Sequence, residues 1–142
     1  MASILPYSLG EDLARGNVDF DTHSFKIMLL TTSYSPSQAH DRRNDVEANE
    51  VSGTGYTAGG KDLTVASVIR TSGSTAVTFT TTTVWDAPVS GFTARYAAIY
   101  RATGGASSTD PLVAIIDAGA GYTANGQSFA VNITTPLTIT VP

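Results

Sequence analysis

From Leu63 to the C-terminus, apolar residues come in short alternating runs cut by Gly, Pro and Ser. Period-two alternation buries one face of a strand, so this half of the chain has few options besides antiparallel β structure. Leu63 to Arg70 reads as one strand, closed by Thr71-Ser72-Gly73-Ser74. Ala76 to Trp85 reads as a second, with Val77 and Phe79 on one face, and Asp86-Ala87-Pro88 ends it. The runs Ala94 to Arg101 and Leu112 to Asp117 face each other across a Gly/Ser loop, which predicts an antiparallel pair. The second is apolar on both faces and belongs in the interior of a sheet. Phe129, Val131 and Ile133 alternate in one further segment and Leu137, Ile139 and Val141 in another, with Pro136 between them. About seven short strands at this spacing predict an all-β fold, an antiparallel β-sandwich or jelly roll. Leu29, Val65, Phe79, Ile99, Ile115 and Ile139 are its expected core.

The first half is less regular. Ser8 to Gly16 predicts a short N-terminal helix, with Ser8 and Glu11 as a capping box, acids in the first turn and Gly16 as the stop. Leu9 and Leu13 share one face, which suits a helix covering one end of a sheet. Val18 to His23 alternates apolar and acidic residues, and Phe25 to Thr32 reads as the first long strand. A polar excursion follows from Ser33 to Asn49, with one helical turn expected near Asp41 to Val46. The 142 residues predict a single domain, 1–142, large enough for its own core. Residues 1–7, with Ile4, Leu5 and Tyr7, are expected to form a contact arm.

Bulk composition excludes several functions. Without Cys there is no disulfide scaffold, thiol nucleophile or Cys-based zinc site. A net charge of −4 with scattered basic residues argues against nucleic-acid binding, which needs a basic face. No apolar run is long enough to span a membrane, and the N-terminus lacks the basic start and apolar core of a signal peptide. A protein made in the cytoplasm, and not secreted by the ordinary route, is expected.

Between the halves lies Glu50 to Leu63, four of whose fourteen residues are Gly. Gly55 to Lys61 matches a phosphate-loop spacing, but Asp62 stands where a magnesium-binding hydroxyl belongs, and β-forming residues follow where a helix should open. A turn-forming loop anchored by Tyr56 is the better reading. The similar stretch Gly121 to Gly126 has unrelated flanks and reads as a second turn. Asp19, Asp21 and His23 would share one face of an extended strand and could hold a metal, but ordinary strand alternation explains them better. His40-Asp41-Arg42-Arg43 reads as a solvated loop whose arginines can pair with a partner's carboxylates. No serine lies in a nucleophile elbow. Tyr34 and Tyr56, on loops, are further contact candidates.

Leu13-Ala14-Arg15-Gly16-Asn17-Val18-Asp19-Phe20-Asp21-Thr22 and Phe25 to Tyr34, followed by Asn49 to Gly60 and Ala94 to Tyr100, resemble small virion proteins of tailed bacteriophages. The resemblance covers about the first hundred residues and weakens beyond them. Within that lineage the chain resembles the capsid cement, or head decoration, proteins. The resemblance implies a β-sandwich without catalysis, cofactor or metal, and a place on the capsid exterior. It also implies the major capsid protein as partner and a homo-oligomer, dimer or trimer, on the shell. Ile4, Leu5, Tyr7, Tyr34, Arg42, Arg43 and Tyr56 are the expected contact residues. The alternative is a tail-fibre attachment or carbohydrate-binding β-sandwich module.

Overall fold

A computed structural model describes residues 2–140, with Ala2 described by its backbone alone. Met1 of the expected arm and Val141 of the last alternation lie outside the described residues. The fold is all-β and antiparallel, with one short helix, as the alternation requires. One five-stranded sheet runs in the order β1 (Ala2–Ile4), β8 (Leu112–Asn125), β7 (Ser90–Arg101), β2 (Phe25–Thr31) and β3 (Lys61–Leu63). A three-stranded sheet is ordered β10 (Leu137–Thr140), β5 (Ser74–Phe79), β4 (Val65–Thr71). A two-stranded ribbon joins β6 (Thr82–Trp85) to β9 (Phe129–Asn132).

The five-stranded sheet is buried on both faces. Ile27 and Leu29 of β2 with Ala97 and Ile99 of β7 face a core shared with Val77 and Phe79 of β5, Trp85 of β6 and Leu137 of β10. Met28 and Leu30 face the other way, with Tyr96, Ala98 and Tyr100, into a second core closed by Tyr34 and Val46 of the long excursion. The excursion is therefore a cover over the outer face of the sheet, and it lets β2, β7 and β8 be apolar on both sides. Leu29, Phe79, Ile99 and Ile115 are buried as expected, while Val65 and Ile139 pack against the first core only in part.

Two runs expected to be single strands are each divided between sheets. Thr64 separates β3 from β4, and the two strands join different sheets. Thr80 and Thr81 likewise separate β5 from β6, with Thr80 N–H donating to the Thr64 carbonyl at 2.8 Å. Composition stays strand-like through both breaks, because a chain that changes sheet remains extended. The stretch 121–125, expected to be a turn, is instead the second half of β8. Val18 to His23 forms a turn, not a strand.

The helix α1 (Leu9–Ala14) forms with Leu9 and Asp12 buried, and Gly16 follows at φ +75°. The expected capping box does not form: Ser8 has helical φ and ψ, and its buried hydroxyl has no partner among the described residues. Glu11 instead pairs with Arg15 at 2.7 Å, an exposed contact one helical turn long. The helical turn expected near Asp41 is present as a 3-10 turn over Arg43–Asp45.

Candidate functional site

The expected arm is only partly a free arm. β1 adds to the edge of β8, with Ile4 opposite Ile115. Ile4 then packs on the second core and Leu5 on the first. Tyr7 N–H donates to the Gln38 carbonyl at 2.9 Å, and the Gln38 amide donates to the Leu5 carbonyl at 3.1 Å. The arm is thus laid on its own sandwich, with the Tyr7 side chain left standing in solvent at 76% exposure.

The long excursion has spent its polar groups internally. Arg42 donates to both Asp12 oxygens, and Arg43 Nε donates to Asp110 Oδ2 at 2.8 Å while its guanidinium lies over the Tyr100 ring. Burial acts to raise the Asp110 carboxyl, but the Thr103 hydroxyl and amide together with Arg43 outweigh it and hold the group below its usual range. Tyr34 is buried edge-on against Tyr96, its hydroxyl 2.8 Å from His40 Nδ1. Burial pushes the Tyr34 phenol up to about 12. Both arginines and Tyr34 are thus engaged within the fold, where they hold the cover against the sheet and the helix.

The glycine-rich loop is organised by Glu50. Its Oε1 accepts from the Tyr56 hydroxyl and from Gly59 N–H, both at 2.7 Å. The Tyr56 oxygen in turn accepts from Leu29 N–H at 3.0 Å, and its ring stacks on Trp85. Burial raises the Tyr56 phenol well above its usual value. Tyr56 is therefore an internal anchor. Lys61 begins β3 and donates to the Val84 carbonyl at 2.6 Å, so it closes the loop against β6 instead of facing a phosphate. Gly60, at φ +78°, has no room for a Cβ, which would collide with the Ile27 carbonyl.

Asp19, Asp21 and His23 do not share a strand face. Asp19 Oδ1 accepts from Asp21 N–H at 2.9 Å, and His23 Nδ1 accepts from Asp19 N–H at 3.0 Å, so the trio closes a turn on itself. Among the described residues no cluster of three or more such side chains is placed to hold a metal ion. No described helix is long and apolar enough to cross a membrane.

The surface most unlike a finished monomer lies elsewhere. The sheet β10–β5–β4 is anchored in the first core by Val77, Phe79 and Leu137. On β4, Val68 is 42% exposed although it lies directly opposite buried Val77, and Ile69 is 57% exposed. Adjacent strand residues point to opposite faces, so Val68 lies at the margin of the core face and Ile69 on the outward face. β4 is also the outer strand of its sheet, and among the described residues no strand pairs with its other edge. Sequence alternation misses this site, since a Val-Ile pair in a strand reads as core. No protein-family model, curated protein or solved structure matches the chain.

Proposed function

We propose that this is a structural virion protein, which binds the outer surface of an assembled phage capsid and stabilises it by bridging major capsid subunits. The observation that carries the reading is the outer strand β4, with Ile69 exposed on the outward face of its sheet and Val68 exposed at the margin of the core face. An outer strand that leaves apolar side chains uncovered suits contact with a neighbouring subunit. The open edge of β4 can add to a partner strand through main-chain hydrogen bonds. The resemblance of residues 13–22, 25–34, 49–60 and 94–100 to cement proteins points the same way. Arg42 and Arg43 act inside the fold, so contact falls to apolar, hydroxyl and backbone groups, with Tyr7 as a second exposed anchor. Copies that meet across a capsid symmetry axis would repeat these contacts on each subunit. Binding the assembled lattice better than loose subunits is what stabilises the shell.

The test is a Val68→Lys, Ile69→Lys double variant added to shells that lack the protein. It should keep the parent melting temperature yet fail to bind. Labelled virions should carry the protein over their heads, and shells without it should release DNA at lower temperature. Labelling confined to tail tips, or full binding by the double variant, refutes the proposal.

A further inference from the structure

An open sheet has two outer strands, and this protein blunts most of its own. β1 and β3 are three residues long, and β3 carries Lys61 and Asp62. β6, β9 and β10 have four residues each. β8 runs on past β1 but is bent there. Ala94 pairs with Tyr122 and Tyr96 with Asp117, so Ala118 to Gly121 bulge out opposite Arg95 alone. β4 is the exception. It is seven residues long, has no Pro or Gly, and pairs with β5 without a break from Ser67 to Thr71. Among the described residues, no backbone hydrogen bond ties that stretch to any segment but β5.

The side chains along this edge fit a second copy of the same strand. Antiparallel pairing across a twofold axis sets opposite each other residues equally far from the axis. With the axis at Ile69, that residue meets the partner's Ile69, and two exposed apolar side chains cover each other. Ser67 meets the partner's Thr71, a pair of hydroxyls. Val68 meets the partner's Arg70, whose aliphatic stem can lie along it. Directly opposed residues share a sheet face, so Ser67, Ile69 and Thr71 lie outward with Thr78, Ala76 and Ser74 of β5.

Charge agrees with this register. Arg70 is the only charged residue of β4, β5 and β10. Pairing about Ile69 sets it against a valine and never against itself, and like charges directly opposed would weaken the contact. A partner selected by charge would have Arg70 alone to answer.

We propose that two copies of the chain pair through β4, antiparallel across a twofold axis at Ile69, and join their three-stranded sheets into a single six-stranded one. This names the neighbour that β4 meets, and it rests on the shell-binding reading only for where the dimer acts. A dimer grips a shell at two places, and a variant that cannot pair loses that avidity.

Sedimentation equilibrium of the full chain tests the pairing in the absence of shells. The 14.7 kDa chain should form a concentration-dependent dimer. Ile69→Lys brings like charges together at the axis. It should keep the parent circular dichroism and, in dilute solution, the parent melting temperature, while weakening dimerisation about tenfold or more. The chain has no Cys, so a single introduced thiol reports its own neighbour. Ile69→Cys should cross-link to itself under mild oxidation, because paired strands bring opposed Cα atoms within disulfide reach. Thr138→Cys, on the same face but two strands away, should not. The proposal is overturned by a monomer at every concentration, by a trimer, by a dimer that survives Ile69→Lys, or by Thr138→Cys cross-linking as fast as Ile69→Cys. A monomer that still binds shells overturns the pairing and leaves the shell-binding reading standing, whereas a dimer that binds none removes that reading alone.

Discussion

The Arg42 guanidinium grips both carboxylate oxygens of Asp12, at 2.9 and 3.1 Å, and ties the long excursion to the N-terminal helix. Asp12 is 1% exposed. Removing one partner of a buried pair leaves the other charge stranded, at a cost of about 3 kcal/mol. Arg42→Ala should therefore lower the urea midpoint sharply, and Arg42→Glu should do worse. The expectation that this arginine is free to serve a partner's carboxylate does not survive the geometry.

Asp110 carries a pH signature. Its native carboxyl is held below its ordinary value, so its stabilisation is fully present above the unfolded pKa, about 3.9. That stabilisation is lost as pH falls through the lowered native value. Parent protein should lose stability as pH drops below about 4, more steeply than Asp110→Asn, which starts less stable and is flatter in acid. Denaturation midpoints measured across that range check the sign.

Tyr56→Phe removes one oxygen from two hydrogen bonds, which strips the Leu29 N–H of its Tyr56 acceptor and leaves Glu50 Oε1 with the Gly59 N–H. A loss of about 2 kcal/mol is expected, with packing against Trp85 retained. Lys61→Ala should cost much less, since it removes a single exposed bond to the Val84 carbonyl.

Removing residues 1–7 strips β1 from the edge of β8 and uncovers both cores where Ile4 and Leu5 pack. The melting temperature should fall by several degrees, corresponding to about 2 kcal/mol. Tyr7→Ala, which changes only an exposed side chain, should leave it unaltered.

Ser72 sits at φ +51° in the turn between β4 and β5, a region that costs a side-chain-bearing residue about 1 kcal/mol. Ser72→Gly should raise stability by somewhat less than that, because glycine also loosens the unfolded chain. A melting temperature unchanged or lowered would show that the turn carries no such strain.

Period-two alternation is a local property, and it was enough to make the chain antiparallel β, to set the β7–β8 pairing and to place Phe79, Ile99 and Ile115 inside. The helix over Leu9–Ala14 and its Gly16 stop were equally local. Sheet membership was not. Thr64 and Thr80 look like the strands around them, and only the competition of two sheets for the chain decides that it crosses there. The same holds for Tyr122 and Thr123, whose turn-like composition is overridden by pairing with β7. Arg42 and Arg43 looked like surface charge because their carboxylates lie 30 and 67 residues away in sequence. The exposure of Val68 and Ile69 depends on which strand a sheet leaves at its edge, and the bulge before Tyr122 on where β8 pairs again with β7. Such features arise from distances between segments far apart in the chain, and no local pattern records those distances.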